Sequence, residues 1–189
     1  MRVRFGLILS LALSASACSV IQERPIDGYN IAAMRHLQEQ KSWYFEGRLA
    51  FTDEKDSISA SISWRHRLAG DEIELSGPLA QGKVAILVSN DKVIVDDGDT
   101  RKEFRGAVDE VMSEQLGMDM PVNSLRYWVL GTNDPNSDYL EQGNGFTQSG
   151  WVVRFTEMQR VNVELLPRKI TAEKDKARIK LIVDQWELS

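Results

Sequence analysis

Hydrophobic and polar residues alternate strictly over the segment SISASISW, residues 57–64. Serines occupy every second position, and Ile58, Ala60, Ile62 and Trp64 lie between them. A period of two is typical of a strand with one wet face and one apolar face. The same criteria and nearby turn residues predict further strands in FEGRLAF, DEIELS, KVAILVS, KVIVDD, GWVVRFTE, VNVELLP, RKITAE and ARIKLIVDQWEL.

The pattern changes to a helical period in three places. Asn30 is placed to cap a helix in IAAMRHLQEQKSW, residues 31–43, and two more helices are predicted at residues 107–118 and 121–131. Roughly ten strands with so few helices favour one long antiparallel meander. We therefore predict a mainly β fold, a half-open barrel whose mouth is covered by helices and whose interior could hold an apolar ligand.

The beginning of the chain has the features of an export signal. Arg2 and Arg4 precede an apolar run at residues 5–13 that is too short to span a bilayer. Cys18, the only cysteine, ends the string ASAC, which is similar to the lipobox of bacterial lipoproteins. A free cysteine after an ordinary signal is the alternative. We predict a signal peptide at 1–17, a lipid-anchored tether at 18–29 and a single domain at 30–189.

The segment GPLAQGKV, residues 77–84, matches the phosphate-binding-loop pattern G-x-x-x-x-G-K-[ST] at every position except the last. Val84 stands where that loop needs a hydroxyl group for Mg²⁺. The segment also lies between two predicted strands, whereas a phosphate loop must lead into a helix. We interpret it as a turn between strands, and we predict no nucleotide, no other cofactor and no metal.

Charge and catalytic motifs narrow the function further. The net charge of −5 argues against nucleic acid as a partner. We interpret His36 and His66 as surface residues, and the pair Asp71 and Glu72 as turn residues. The sequence has no H-E-x-x-H motif, no G-x-S-x-G motif and no Cys/His metal spacing, so we do not expect an enzyme.

Leu79 is the unusual residue of the 77–84 turn, because loop tips are usually small and polar. Single exposed leucines are common on protein surfaces, so an ordinary exposed residue is one interpretation. A leucine between Pro78 and Ala80 at the tip of a projecting hairpin also suits a residue that enters a membrane surface. Both interpretations stay open from the residues alone.

Taken in order, six segments resemble the LolB family of outer-membrane lipoproteins: WYFEGRLAF, SISASISW, ELSGPLAQG, GMDMPVNSLRYWVLG, GWVVRF and ARIKLIVDQWEL. The resemblance covers nearly the whole mature chain. It implies an unclosed antiparallel β-barrel of about eleven strands with a helical lid over an apolar cavity for acyl chains. It also implies that Leu79 matches the leucine of a projecting loop that membrane insertion requires. Gly77 and Ala80 stand where relatives often carry Asn and Gly.

The resemblance further implies a lipid-anchored receptor that faces the periplasm from the outer membrane. Such a receptor would accept lipoproteins from a LolA-like periplasmic carrier and insert them into outer-membrane lipid without ATP, as a monomer. From the alternation we expect Ile58, Ile62 and Trp64 to line the acyl cavity and Trp128 to cover it. Two alternatives stay open, namely a structural or assembly-module lipoprotein with a filled β core and an anchored hydrolase.

Overall fold

The computed structural model of this 189-residue chain describes residues 29–77, 82–90 and 92–188. The helical elements are α1 (Ile31–Met34), a 3₁₀ turn (Arg35–Glu39), α2 (Val108–Leu116) and α3 (Val122–Trp128). The strands are β1 (Ser42–Thr52), β2 (Ser57–Arg67), β3 (Gly70–Ser76), β4 (Lys83–Ser89), β5 (Lys92–Asp96), β6 (Arg101–Phe104), β7 (Tyr139–Gln142), β8 (Gly145–Gln148), β9 (Trp151–Val161), β10 (Glu164–Lys174) and β11 (Ala177–Leu188).

All eleven strands form one sheet in the order β6-β5-β4-β3-β2-β1-β11-β10-β9-β8-β7. Every neighbouring pair is antiparallel, and the first strand pairs with the last, from Trp43 opposite Leu188 to Thr52 opposite Arg178. The two edge strands, β6 and β7, do not pair with each other within the described residues, so the sheet is unclosed. The predicted fold class, an unclosed antiparallel barrel with few helices, is confirmed.

The alternation in β2 separates an inward face from an outward face. Ile62 and Trp64 are buried, whereas the serines of the strand are exposed or partly exposed. The register carries the inward face across the sheet, because Trp64 lies opposite Phe45 on β1 and opposite Ile73 on β3. Since the side-chain period is two, a slip of one residue would exchange the two faces, and burial of these rings therefore fixes the register.

The first helix is shorter than the sequence predicts. The 3₁₀ turn ends at Glu39, and β1 begins at Ser42. Asn30 caps α1 as predicted, because its side-chain oxygen accepts a hydrogen bond of 2.9 Å from the α1 backbone. Trp43, which the pattern placed at the end of the helix, instead pairs with Leu188 of the last strand. Strand pairing therefore overrides the local helical period here.

The strand predictions differ from the structure in two respects. The segments VNVELLP and RKITAE are predicted as two strands, but residues 164–167 of the first join the second in the single strand β10, and residues 162–163 form the turn from β9. The pairing of β10 with β9 shifts register around Pro167 and Lys169, which accommodates a residue without a backbone N–H. Strands β6, β7 and β8 are absent from the prediction, because each has only four residues and too few positions to show a period.

Candidate functional site

The inward side chains of the sheet, together with apolar side chains of the helices, form one hydrophobic core. Around β1 it is packed with aromatic rings. The Trp64 ring lies 5.5 Å from the Trp43 ring and 6.1 Å from the Phe45 ring, and the Trp186 ring lies 5.2 Å from Phe45. Trp43, Phe45 and Trp64 have almost no exposed surface. Rings of this size dominate core energetics when buried, so this cluster fixes the centre of the sheet.

Trp128 of α3 belongs to a second aromatic cluster of the same core, which lies against β8 and β9. Its ring lies 6.1 Å from Trp151 and 6.4 Å from Phe146, and Phe146 lies 6.0 Å from Phe155. Trp128 itself is fully buried. No ring contact joins Trp64 and Trp128 within the described residues, so the two predicted cavity tryptophans lie in separate clusters.

The inward face of the sheet is covered unequally. On β9, β10 and β11 all of the following inward residues are fully or almost fully buried, and we call them the closed half: Val153, Phe155, Ile170, Ala172, Ile179, Leu181 and Val183. On β2, β4, β5 and β6 a second group of inward residues packs against the core but stays partly exposed, and we call it the open half: Ile58, Ala60, Val84, Val95 and Phe104. The open half therefore offers accessible apolar surface on the inward face, and Met158, Val161, Leu165 and Ala177 of β9, β10 and β11 are partly buried as well.

The beginning of the described chain covers the closed half. The Tyr29 ring lies 4.6 Å from Phe155, and the Tyr29 hydroxyl donates a hydrogen bond of 3.3 Å to the Gly131 carbonyl oxygen. Burial raises the pKa of the Tyr29 hydroxyl well above its usual range, with a further contribution from Glu141. A side chain at Gly131, which has a φ of +84°, would come within 3.3 Å of Pro167 on β10. The cover over the closed half is thus tightly packed.

The four predicted cavity residues differ in accessibility. Ile58 is partly exposed and lies in the open half. Ile62, at 3% exposure, and the fully buried Trp64 and Trp128 are enclosed by protein atoms. An acyl chain can therefore reach the last three residues only if the covering elements move.

Cys18 and Leu79 lie outside the described residues. The segment that contains Leu79 connects Ser76 at the end of β3 to Lys83 at the start of β4, so the prediction that this segment lies between two strands and does not lead into a helix is confirmed. A hydrogen bond of 3.2 Å from Gly77 N–H to the Gly82 carbonyl oxygen closes the base of this hairpin. Val84 of the open half follows directly after this base.

Asp71 is buried and lies with Glu72 in β3, so the interpretation of this pair as turn residues is wrong, and its partner His66 is half-buried instead of fully exposed. The Asp71 carboxylate accepts hydrogen bonds from Trp64 Nε1 at 3.0 Å, from His66 Nδ1 at 2.8 Å and from the Arg126 guanidinium at 2.5 Å. Its side chain is fully buried, and that of His66 is 14% exposed. The sequence did carry a signal: Asp71 has the same parity as Ile73 and Leu75, which places it on the apolar face of β3.

Gln148 at the end of β8 is a second buried polar residue that the sequence analysis missed. Its side-chain oxygen accepts hydrogen bonds from Trp128 Nε1 and Asp134 N–H, both at 2.9 Å. Its amide nitrogen donates to the carbonyl oxygens of Asp134 and Ser137, both at 2.8 Å. All the hydrogen bonds connect β8 to α3 and to the loop that follows α3. Because β8 is too short to show a period, no sequence signal marked this residue.

Two further observations concern metal binding and membrane-spanning helices. Within residues 29–77, 82–90 and 92–188, no group of three or more His, Cys, Asp or Glu side chains is arranged to hold a metal ion. In the same residues, no helix is long and apolar enough to cross a membrane. His36 is exposed and pairs with Glu164 at 2.9 Å, as expected for a surface histidine.

The sequence is similar to a known family of proteins. The family model described as outer membrane lipoprotein LolB matches residues 41–186. The outer-membrane lipoprotein LolB of Nitrosococcus oceani is 30% identical over 161 residues, which cover 80% of this chain and 79% of that protein. The protein of the same name from Chromohalobacter salexigens is 28% identical, over 99% of this chain and 91% of that protein.

Solved structures share the fold at low sequence identity. A LolA superfamily protein from Nitrosomonas europaea has a TM-score of 0.52 and 8% identity, covering 80% of this chain and 87% of that one. A putative outer membrane lipoprotein-sorting protein domain from Vibrio parahaemolyticus has a TM-score of 0.54 and 10% identity, covering 84% of this chain and 91% of that one. With the family match over residues 41–186, the chain belongs to the LolB family of outer-membrane lipoproteins.

Proposed function

We propose that this protein is the acceptor of the lipoprotein-sorting pathway to which its family belongs. It receives lipoproteins from a LolA-like periplasmic carrier, holds their acyl chains against the inward face of the sheet, and releases them into the outer membrane. Its own lipid anchor at Cys18 keeps it at the target membrane. The domain limits that go with this proposal are a signal peptide at 1–17, a tether at 18–29 and one receptor domain at 30–189.

The observation that carries the proposal is the partly exposed apolar surface of the open half. Burying an acyl chain of about sixteen carbons is worth on the order of 12 kcal/mol, so a lipoprotein needs an apolar surface at each stage of transfer. The open half offers such a surface without exposing the rest of the core. Val84 also adjoins the hairpin that contains Leu79, which brings the accessible apolar surface close to the proposed membrane-entering residue.

Transfer in this proposal needs no ATP. The chain has no phosphate-binding loop, because Val84 replaces the metal-binding hydroxyl and the segment leads into strand β4. An acyl chain can still move in one direction if its affinity rises from the carrier to this protein and from this protein to the bilayer. Ile62, Trp64 and Trp128 become part of the acyl-binding surface when the covering elements move.

Leu79 has a separate task in this proposal. Burial of one leucine contributes about 1.5–3 kcal/mol, which is too little to anchor the protein beside the acyl chains on Cys18. It is enough to seat the hairpin in the membrane surface while the client leaves. Lys83 next to the hairpin pairs with Glu74 at 2.8 Å on the outward face, which holds that side chain near the hairpin base.

The test of the proposal is a two-stage transfer assay with the purified protein. An acylated lipoprotein bound to its carrier is mixed with the protein, and complex formation is measured by pull-down and native mass spectrometry. Liposomes of outer-membrane phospholipids are then added, and lipoprotein in the liposome fraction is measured. We expect a one-to-one complex followed by delivery without ATP. A protein with a filled β core, the structural alternative, would form no such complex.

Anchoring is tested separately with Cys18→Ala. We expect the variant to fractionate as a soluble periplasmic protein or to remain an uncut precursor, because the thiol that receives the lipid is absent. Fractionation of cells and immunoblotting measure this outcome. Tight association of the processed variant with outer membranes would show that Cys18 is not the anchor.

A further inference from the structure

Helix α3 is hydrogen-bonded on two opposite sides. Arg126 donates to Asp71 on β3 at 2.5 Å, and Trp128 donates through Nε1 to Gln148 on β8 at 2.9 Å. Arg126 and Trp128 are two residues apart, and successive residues of an α-helix are rotated by about 100°. Their side chains therefore leave the helix about 200° apart, in nearly opposite directions.

The two strands that receive these hydrogen bonds, β3 and β8, are far apart in the strand order of the sheet. In the strand order β3-β2-β1-β11-β10-β9-β8, six spacings separate β3 from β8. At about 4.8 Å per spacing, the distance along the sheet is about 29 Å. An α-helix with its side chains is about 10–12 Å across, so one helix can reach both strands only if the sheet curls around it.

Both ends of this connection are built into the core. The Asp71 carboxylate is fully buried and also accepts hydrogen bonds from Trp64 and His66 of β2, so it is held in place independently of α3. Gln148 is 1% exposed and is held by Asp134 and Ser137 as well as by Trp128. Neither acceptor can shift toward α3 without breaking other hydrogen bonds, so both mark fixed points on the sheet.

No strand pairing closes the barrel across its opening in the described sheet, because the edge strands β6 and β7 do not pair. We propose that α3 is a cross-tie, that is, a helix bonded both to β3 and to β8. Arg126 and Gln148 are its positioning residues: they hold these two strands at a fixed separation and so set the width of the apolar face. The consequence for client binding rests on the function proposed above. A wider face would retain an acyl chain less well, because each chain would contact fewer apolar atoms.

The width is measured by double electron–electron resonance with spin labels on the full-length protein in detergent. Asp99→Cys in the hairpin between β5 and β6 and Gln142→Cys at the end of β7 are exposed positions on opposite edges. In this labelled protein, Arg126→Met removes the hydrogen bond from α3 to Asp71 on β3, and Gln148→Met removes the hydrogen bond from Trp128 of α3 to β8. We expect each to lengthen the mean distance by about one strand spacing, ~5 Å, or to broaden it toward longer distances.

Two control variants separate the tie from a general loss of polar contacts. Arg126→Lys keeps a cation for Asp71, and we expect the wild-type distance. Arg48→Met removes the pair of Arg48 with Asp184 at 3.1 Å, which joins the adjacent strands β1 and β11 on the outward face, and we again expect no change. Near-ultraviolet circular dichroism of the tryptophans checks that each variant is folded. Since the two Met variants act on different sides, one folded variant is sufficient for the test.

Client retention is measured on the same variants by the rate at which a fluorescent acylated lipoprotein dissociates. We expect dissociation roughly tenfold faster in both Met variants and near the wild-type rate in both controls. Wild-type distances in folded Arg126→Met and Gln148→Met would overturn the cross-tie. Longer distances with unchanged dissociation would overturn the positioning role. If the wild-type protein does not bind the lipoprotein at all, the proposed function fails, and the distances still decide whether α3 is a cross-tie.

Discussion

The closed half and the open half of the inward face have the same kind of sequence but different exposure. Val153 and Phe155 on β9 are fully buried, whereas Val84 and Phe104 on β4 and β6 are partly exposed. Both halves are apolar, and the outward residues between them include Ala85, Leu87 and Ile94 as well as polar side chains. The difference lies in the cover, because Tyr29 packs against Phe155 of β9 and the loop after α3 packs tightly against Pro167 of β10. An alternating strand therefore predicts an apolar face, and tertiary structure decides whether that face becomes core or binding surface.

With the function proposed above, the comparison assigns stability to the closed half and acyl binding to the open half. This division matches the general tendency of proteins to place binding surfaces where local stability is lowest. Variants at equivalent positions of the two halves should therefore fail in different ways.

The largest difference is expected for a buried charge. Val153→Glu places a carboxylate without a partner in the closed half and should lower the free energy of unfolding by more than about 4 kcal/mol. Val84→Glu places the same group where water can reach it, so the loss of stability should be small while lipoprotein loading fails. Urea unfolding and the loading assay measure the two effects. Equal destabilisation by both variants would remove the distinction between the halves.

Truncation of a ring should give the next largest effect. Phe155→Ala removes a fully buried ring that contacts Tyr29 and Phe146, and should lower the free energy of unfolding by about 3–5 kcal/mol. Phe104→Ala removes a partly exposed ring, so we expect about 1–2 kcal/mol together with weaker lipoprotein binding. Urea unfolding and binding titrations measure both. Weaker binding by Phe155→Ala alone would place the acyl site in the closed half.

The two ends of the sheet offer a comparison between two leucines. Leu79 follows β3 in the hairpin to β4, and Leu68, at 76% exposure, precedes β3 in the hairpin from β2, so they lie at opposite ends. Leu79→Glu removes a contribution of about 1.5–3 kcal/mol to membrane contact and should block delivery to liposomes while loading stays near normal. Leu68→Glu is the matched control and should deliver normally. Normal delivery by Leu79→Glu would make Leu79 an ordinary turn residue.

The smallest effect is expected at the contact between α2 and α3. Burial raises the pKa of Asp109, whose carboxylate accepts a hydrogen bond of 3.1 Å from Asn123 N–H. A carboxyl whose pKa is higher in the folded state binds protons more readily there, so folding gains stability as the pH falls through that range. Asp109→Asn keeps the acceptor and should remove this small gain. Thermal unfolding of both proteins at pH 7 and at pH 4.5 measures the difference, and parallel pH dependences would contradict it.

The sequence predicted most of the fold because long strands repeat their pattern. The eleven residues of β2 and the twelve of β11 alternate clearly, and their register follows from the side that must be buried. Short strands and long-range polar contacts were not readable. Asp71 and Arg126 are 55 residues apart, and Gln148 and Trp128 are joined through a strand of four residues. Local patterns contain no information about such partners.

The sequence predicted that one face of the sheet is apolar, but it did not predict which residues of that face are accessible. The alternation correctly grouped Ile58, Ile62 and Trp64 on one face, yet only Ile58 is accessible in the structure. Accessibility depends on which helices cover which strands, and that depends on contacts far apart in the chain. Val84 belongs both to the predicted strand KVAILVS and to the segment GPLAQGKV, and Phe104 lies in no predicted element. Their place on the open half follows from the strand register.

The most direct test of the central claim is to map where a client's acyl chain lies. A lipoprotein carrying a diazirine-labelled acyl chain is loaded onto the wild-type protein, crosslinked by light, and the attached peptides are identified by mass spectrometry. We predict crosslinks to the open half, at Ile58, Val84, Val95 and Phe104 above all. Crosslinks confined to outward residues of the sheet, such as the serines of β2, would contradict the account.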